Sequence, residues 1–132
     1  MNTEKLRAMA PNLERCAPRS PYASLSEQFP AVAARLVDKC RAELLGQIAS
    51  YEYNCPLDRQ FFAAAGLEAE ALREFIATGA DDNEVAAWMA THAKMPGEKI
   101  IKWGRRFRVN PLWHILELED WLHCRWRGRE RR

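Results

Sequence analysis

Tyr51-Glu52-Tyr53-Asn54-Cys55-Pro56-Leu57-Asp58, followed by Phe61-Phe62, gathers two phenols, an amide, a thiol and a carboxylate around one proline. Such a set could bind a small polar ligand, or supply a nucleophile, a base and an acid within one turn. Cys55 lies just before a predicted helix start, where the helix dipole favours negative charge on sulfur, the setting of reactive thiols. A thiol nucleophile also needs a base, and His92, His114 and His123 are all far away in sequence, with no orienting acid recognisable beside them. Asp58 has a structural alternative: two residues after Pro56, its carboxylate meets the free amides and positive dipole end of the same helix. Arg41, at the boundary of the preceding helix's apolar stripe, is the expected clamp, with a guanidinium in reach of Asp58 or of the 51–55 carbonyls. The candidate site for a ligand or partner is therefore Arg41, Tyr51, Tyr53, Asn54, Cys55 and Asp58, and no residue is assigned a catalytic role.

Metal chemistry finds less support. His114, His123 and Cys124 lack the tight spacing and matched second pair of a zinc site, so neither a metal nor another cofactor is expected. The four cysteines, at 16, 40, 55 and 124, contain no C-x-x-C pair and read as reduced thiols of a cytoplasmic protein. No apolar run is long enough to cross a bilayer, and Glu4, Lys5, Arg7, Glu14 and Arg15 interrupt the N-terminus where a signal peptide needs an apolar core.

The net charge of +2 conceals an uneven distribution. Residues 1–98 carry 10 basic and 14 acidic groups, a balance of −4, whereas residues 99–132 carry 10 basic and 4 acidic groups, a balance of +6. Lys102, Arg105 and Arg106, with Arg125 and Arg127 near Trp121 and Trp126, form a candidate nucleic-acid surface of interleaved cations and aromatics.

These groups must be positioned by helices. Pro11, Pro18, Pro21 and Pro30 make residues 1–30 an arm with at most a short helix near its start. Ala33, Leu36, Val37, Cys40 and Leu44 recur at helical spacing between Ala31 and Leu45, and Gly46 is the stop. Further helices are predicted from Pro56 to about Ala65, from Glu68 to Thr78, and after the Asp81/Glu84 capping pair, where Val85, Trp88 and Met89 are buried. Ile100, Ile101, Trp103 and Phe107 mark the next amphipathic stretch. Asn110-Pro111 opens a last helix to about Trp126, with Leu112, Ile115, Leu116, Leu118 and Leu122 as its buried face. The expected fold is an all-α, single-domain compact bundle of five or six helices: a proline-rich arm at 1–30, the helical domain at 31–126 and a basic tail at 127–132. The apolar circumference of the last helix makes a homodimer an expectation as well.

Val37-Asp38-Lys39-Cys40-Arg41-Ala42, then Gly46, then the Tyr51 to Asp58 run with Phe61-Phe62, then Asp81-Asp82-Asn83-Glu84-Val85 with Trp88, stand in an order that resembles a bacterial domain-of-unknown-function family, number 5069. The resemblance covers Pro18 to Trp103 and implies a small, stand-alone helical domain; it carries no catalytic role to any residue. The function expected first is a non-enzymatic binding module that recognises a small anionic ligand or a protein partner through the Tyr-Asn-Cys-Pro-Leu-Asp loop. The alternatives are a small enzyme built on the same loop and nucleic-acid binding through the basic C-terminal region.

Overall fold

Arg35, Asp38, Lys39 and Arg41 belong to one helix, and all four are buried along with its apolar residues. A helix with charges inside on several sides must be surrounded, and the rest of the chain is laid around it. The computed structural model describes residues 1–111, 118 and 120–124. It contains α1 (Thr3–Met9), α2 (Ala33–Leu44), α3 (Pro56–Ala65), α4 (Ala69–Ala77), α5 (Asp82–His92) and α6 (Gly97–Val109), with further helical residues at 118 and 120–124. Apart from one isolated bridge between Ser26 and Phe29, no β-structure occurs among the described residues, and the fold is all-α.

Local chemistry explains most helix ends. Asn2 caps α1 by accepting from the Lys5 amide at 3.2 Å, and its own amide donates to Ala77 O at 2.8 Å, tying the start of the arm to the end of α4. Asp81 and Glu84 form a reciprocal capping box at α5, with distances of 2.8 and 3.1 Å. Gly66 ends α3 at φ +70°, a left-handed conformation that glycine adopts without steric cost. A side chain there would also collide with Lys94, whose amide donates to Gly66 O while that of Met95 donates to Ala65 O.

The arm packs closely on α2. Leu13, Pro18, Pro21 and Phe29 are buried, the Leu13 amide donates to Gln47 O, and the Val32 amide donates to Pro21 O. Gly104, inside α6, admits Pro30 so closely that a Cβ would lie 2.6 Å from the proline ring. Helix α2 begins only at Ala33, because Val32 takes φ 69°, which a β-branched residue rarely adopts.

The core is continuous, running from Leu6 and Phe29 through Val32, Leu36 and Val37 to Leu57, Phe61, Leu72, Ile76, Val85, Met89, Ile100 and Phe107. Each such side chain contributes about 1.5–3 kcal/mol by leaving water. Phe61 is its aromatic hub, edge-on to Phe29, Phe62 and Trp103 with centroids 5.8–6.2 Å away. Trp88 is half-buried, stacked between Phe75 and His92.

One expected face is reversed. The apolar character of Leu118 and Leu122 predicts core positions, but they are 54% and 50% exposed, beside an equally exposed Trp121. The polar residues of the segment turn inward instead. Asp120 meets Arg35, His123 Nε2 lies 2.9 Å from Leu13 O, and Cys124 Sγ accepts from the Ala17 amide at 3.0 Å. Leu112, Ile115, Leu116, Trp113, His114 and Trp126 lie outside the described residues.

Candidate functional site

Asp58, at the third position of α3, is fully buried. Its Oδ2 accepts from the Asn54 amide at 3.0 Å and the Cys55 amide at 3.4 Å, the capping role that Pro56 and the spacing predict. Asn54 can offer that amide because it sits at φ 62°, a left-handed position that asparagine tolerates. The same Oδ2 accepts from Lys39 Nζ at 2.8 Å, and that ammonium also donates to Cys55 Sγ at 3.3 Å. Lys39 keeps only 3% of its side chain exposed.

Lys39, not Arg41, therefore clamps the loop to α2. The two residues differ by about 200° around the helix, so they face opposite neighbours. Arg41 turns to the start of α5, where it donates to Asp82 Oδ1 at 2.8 Å and Ala80 O at 3.0 Å. Sequence reasoning misses Lys39 because a lysine beside a carboxylate on a helix normally marks a solvated face. No local signal marks it, because the burial of Asp58 that calls for a cation is itself a product of the fold.

The tyrosines are engaged elsewhere. Tyr53 donates to Ala69 O at 2.8 Å, and burial, with nearby Cys40, Asp58 and Glu70 adding to it, raises its pKa above the ordinary phenol value. Tyr51 donates to Asp120 Oδ1 at 3.0 Å; burial first and the Asp120 charge second raise its pKa too. Asp120 is held from the other side by a bidentate Arg35 at 2.6 and 3.0 Å, whose guanidinium lies 5.5 Å from the Tyr51 ring centroid. Neither phenol ionises near neutral pH, so neither supplies a phenolate. Burial likewise pushes the Cys40 thiol up to about 12. The six candidate residues thus do not converge: Asn54, Cys55 and Asp58 meet at Lys39, Tyr51 joins Arg35 and Asp120, Tyr53 joins α4, and Arg41 joins α5.

Around Arg41 lies an open cleft of about 570 Å³ between the arm, α2 and α5, lined by Pro11, Arg19, Asp38, Arg41, Asp82 and Asn83. Arg19 bridges its walls, donating to both oxygens of Asp38 at 3.0–3.1 Å and to Asp82 Oδ2 at 2.8 Å. Burial alone would raise the Asp82 pKa, but hydrogen bonds from Arg19 and Arg41 outweigh it and hold the carboxyl below its ordinary value. A depressed folded-state pKa adds stability that is present above the unfolded value and is lost as pH falls through the folded one. Stability measured from neutral pH into acid should therefore fall below about pH 4. Asp82→Asn should flatten that acid limb; an unchanged limb would show that the pair contributes nothing.

The basic residues of α6 have a different setting. Lys99, Lys102, Arg105, Arg106 and Arg108 are all exposed, and none forms an ion pair among the described residues. Trp103 is half-buried against Phe61 and Phe107. It lines two shallow depressions of about 340 and 230 Å³, the first with Lys99, Lys102 and Arg106, the second with Gln60 and Arg106. Arg125 and Arg127 lie outside the described residues. No group of three or more potential metal ligands occurs among the described residues, and no described helix is long and apolar enough to cross a membrane.

The model of a family described as a domain of unknown function, DUF5069, matches residues 15–111. The chain belongs to this family. The part matched to DUF5069 runs from the arm through α6 and so includes Lys39, Cys55, Asp58, Arg19, Asp38, Arg41 and Asp82. Asp120 falls outside it, so the Arg35 and Tyr51 contacts join the DUF5069 region to the chain that follows. No curated protein matches the chain.

Proposed function

We propose that this DUF5069 domain is a non-enzymatic interaction module, that its working surface is the exposed side of α6, and that its partner is single-stranded nucleic acid. The observation that carries the reading is a contrast between two helices. The four buried charges of α2 are each neutralised by an ion pair, whereas the five cations of α6 face solvent with Glu98 as the only acid on the helix. Exposed, unneutralised cations exchange their small counter-anions for phosphates, and the cations that phosphates release on binding drive association. Lys99, Lys102 and Arg106 lie within about 60° of one another on the helix and span about 10 Å along it, and the half-buried Trp103 beside them is the aromatic group of that surface.

A small anionic ligand or protein partner at the 51–58 loop has less behind it. The Tyr51 and Tyr53 hydroxyls donate to Asp120 and Ala69, and Asp58 Oδ2 is taken by Lys39 and two amides. The cleft at Arg19 and Arg41 also has its cations already paired with carboxylates. An enzyme built on the loop would need a base in hydrogen-bond contact with the Cys55 sulfur, and the side chain that contacts that sulfur is the Lys39 ammonium, a donor, with Asp58 reached only beyond it.

Fluorescence anisotropy of a labelled oligothymidylate tests the proposal. Binding should weaken with salt, and Lys102→Glu with Arg106→Glu should lower the slope of log affinity against log salt by about 0.7 for each phosphate that is no longer neutralised. No binding at low salt, or equal binding by the double variant, would remove the α6 surface from consideration.

A further inference from the structure

The cluster formed by Lys39, Cys55 and Asp58 lies apart from the α6 surface, and it brings a nucleophilic sulfur, a nitrogen and a proton acceptor into contact. Lys39 Nζ is 3.3 Å from Cys55 Sγ and 2.8 Å from Asp58 Oδ2. Lys39 and Asp58 are closed off from solvent, at 3% and 0% side-chain exposure, while Cys55 is partly open to it. The second oxygen of the same carboxylate, Asp58 Oδ1, is buried and has no hydrogen-bond partner. The carboxylate is therefore under-satisfied, with Oδ2 carrying all of its described hydrogen bonds. We propose that Lys39 and Cys55 are a modification site, at which hydrogen peroxide joins the two side chains through a covalent sulfur–nitrogen bond.

The chemistry closes within the cluster. The Cys55 sulfur attacks peroxide; an S–O bond forms, the O–O bond breaks, and one water leaves, giving the sulfenic acid. Lys39 passes one proton to Asp58 Oδ2 and becomes a free amine. Its lone pair then attacks the sulfur, the S–N bond forms, the S–O bond breaks, and the departing hydroxyl takes the second nitrogen proton to leave as water. Sulfur has lost two electrons, the peroxide has become two waters, and Asp58 ends neutral. The geometry favours this over further oxidation of the sulfenic acid, because the amine is already in contact with the sulfur and cannot diffuse away.

Two of the other thiols provide the comparison. Cys40 is buried, with its thiol pushed up to about 12. Cys16 is exposed but also raised, by burial first and then by the Cys124 and Asp38 charges. Neither stands in a described contact with an amine.

The test is peroxide treatment of the full chain, proteolysis and mass spectrometry. The expected product is a peptide pair joined between Lys39 and Cys55, two hydrogens lighter than the sum of its parts and separated again by dithiothreitol. Lys39→Arg keeps a cation against Asp58 but removes the attacking amine, so its Cys55 should instead accumulate as sulfenic acid trapped by dimedone. Cys55→Ser should give neither product. Equal dimedone trapping in the wild type and in Lys39→Arg, or a wild-type Cys55 that peroxide leaves as free thiol, would overturn the proposal.

Discussion

Asp58→Ala should lower folding stability by about 3–5 kcal/mol, the usual cost of leaving one half of a buried ion pair without its partner. In a domain of this size that corresponds to a melting temperature lower by roughly 10–20 °C. The cause is the Lys39 ammonium, which has no route to water at 3% exposure and would keep only Cys55 Sγ as a described acceptor. The Asn54 and Cys55 amides would lose their acceptor as well. Lys39→Met alone should be nearly as damaging, since it strands the carboxylate. The informative variant is the pair Lys39→Met with Asp58→Leu, which removes both charges and keeps apolar volume; it should recover most of the loss. Urea denaturation of the wild type, Lys39→Met, Asp58→Leu and the double variant completes the cycle, and an Asp58→Ala loss below about 1 kcal/mol would mean that the pair is hydrated after all.

A second large effect is expected at Arg35. Its bidentate grip on Asp120 crosses 85 residues of sequence and ties residues 120–124 to α2. Arg35→Leu should cost about 3–5 kcal/mol, and the loss should show a position dependence: amides of 120–124 should exchange rapidly while those of α3 keep their protection. Tyr51→Phe removes one hydrogen bond to the same carboxylate and should cost only about 1 kcal/mol. Uniform loss of protection across the chain in Arg35→Leu would show that the C-terminal segment is part of one cooperative unit with the core.

How legible these features are depends on what each residue needs. Pro56, Asp58, Gly66, Asp81, Glu84 and Gly46 act within a few residues of themselves, so helix starts and stops can be read from the sequence, and all-α follows. Val85, Met89, Ile100 and Phe107 also bury as their spacing predicts. The face of the last segment cannot be read, because Leu118 and Leu122 follow the apolar rule only if nothing stronger orients the helix, and Asp120 is stronger. The same limit governs α2. Its periodicity describes an amphipathic helix with a wet side, but the arm and α5 cover that side. Which acid each cation meets is a tertiary fact: the sequence suggests Asp58 for Arg41, and helix phase turns it to Asp82 instead. Asn54 is the opposite case, its left-handed backbone being consistent with its residue type but visible only in the folded loop.

The charges buried on α2 also impose an order on the chain as it is made. The partners of that helix lie 19 residues before it, for Arg19 with Asp38, and then 19, 41 and 85 residues after, for Lys39 with Asp58, Arg41 with Asp82 and Arg35 with Asp120. A chain emerging from the ribosome has α2 long before it has Asp82 or Asp120, so until then Arg41 and Arg35 must stay in water. Early collapse around α2 is thereby discouraged, since it would enclose charges with no counterion. The helix is withheld from premature packing by the same residues that later fix its neighbours, and its last ion pair waits on Asp120.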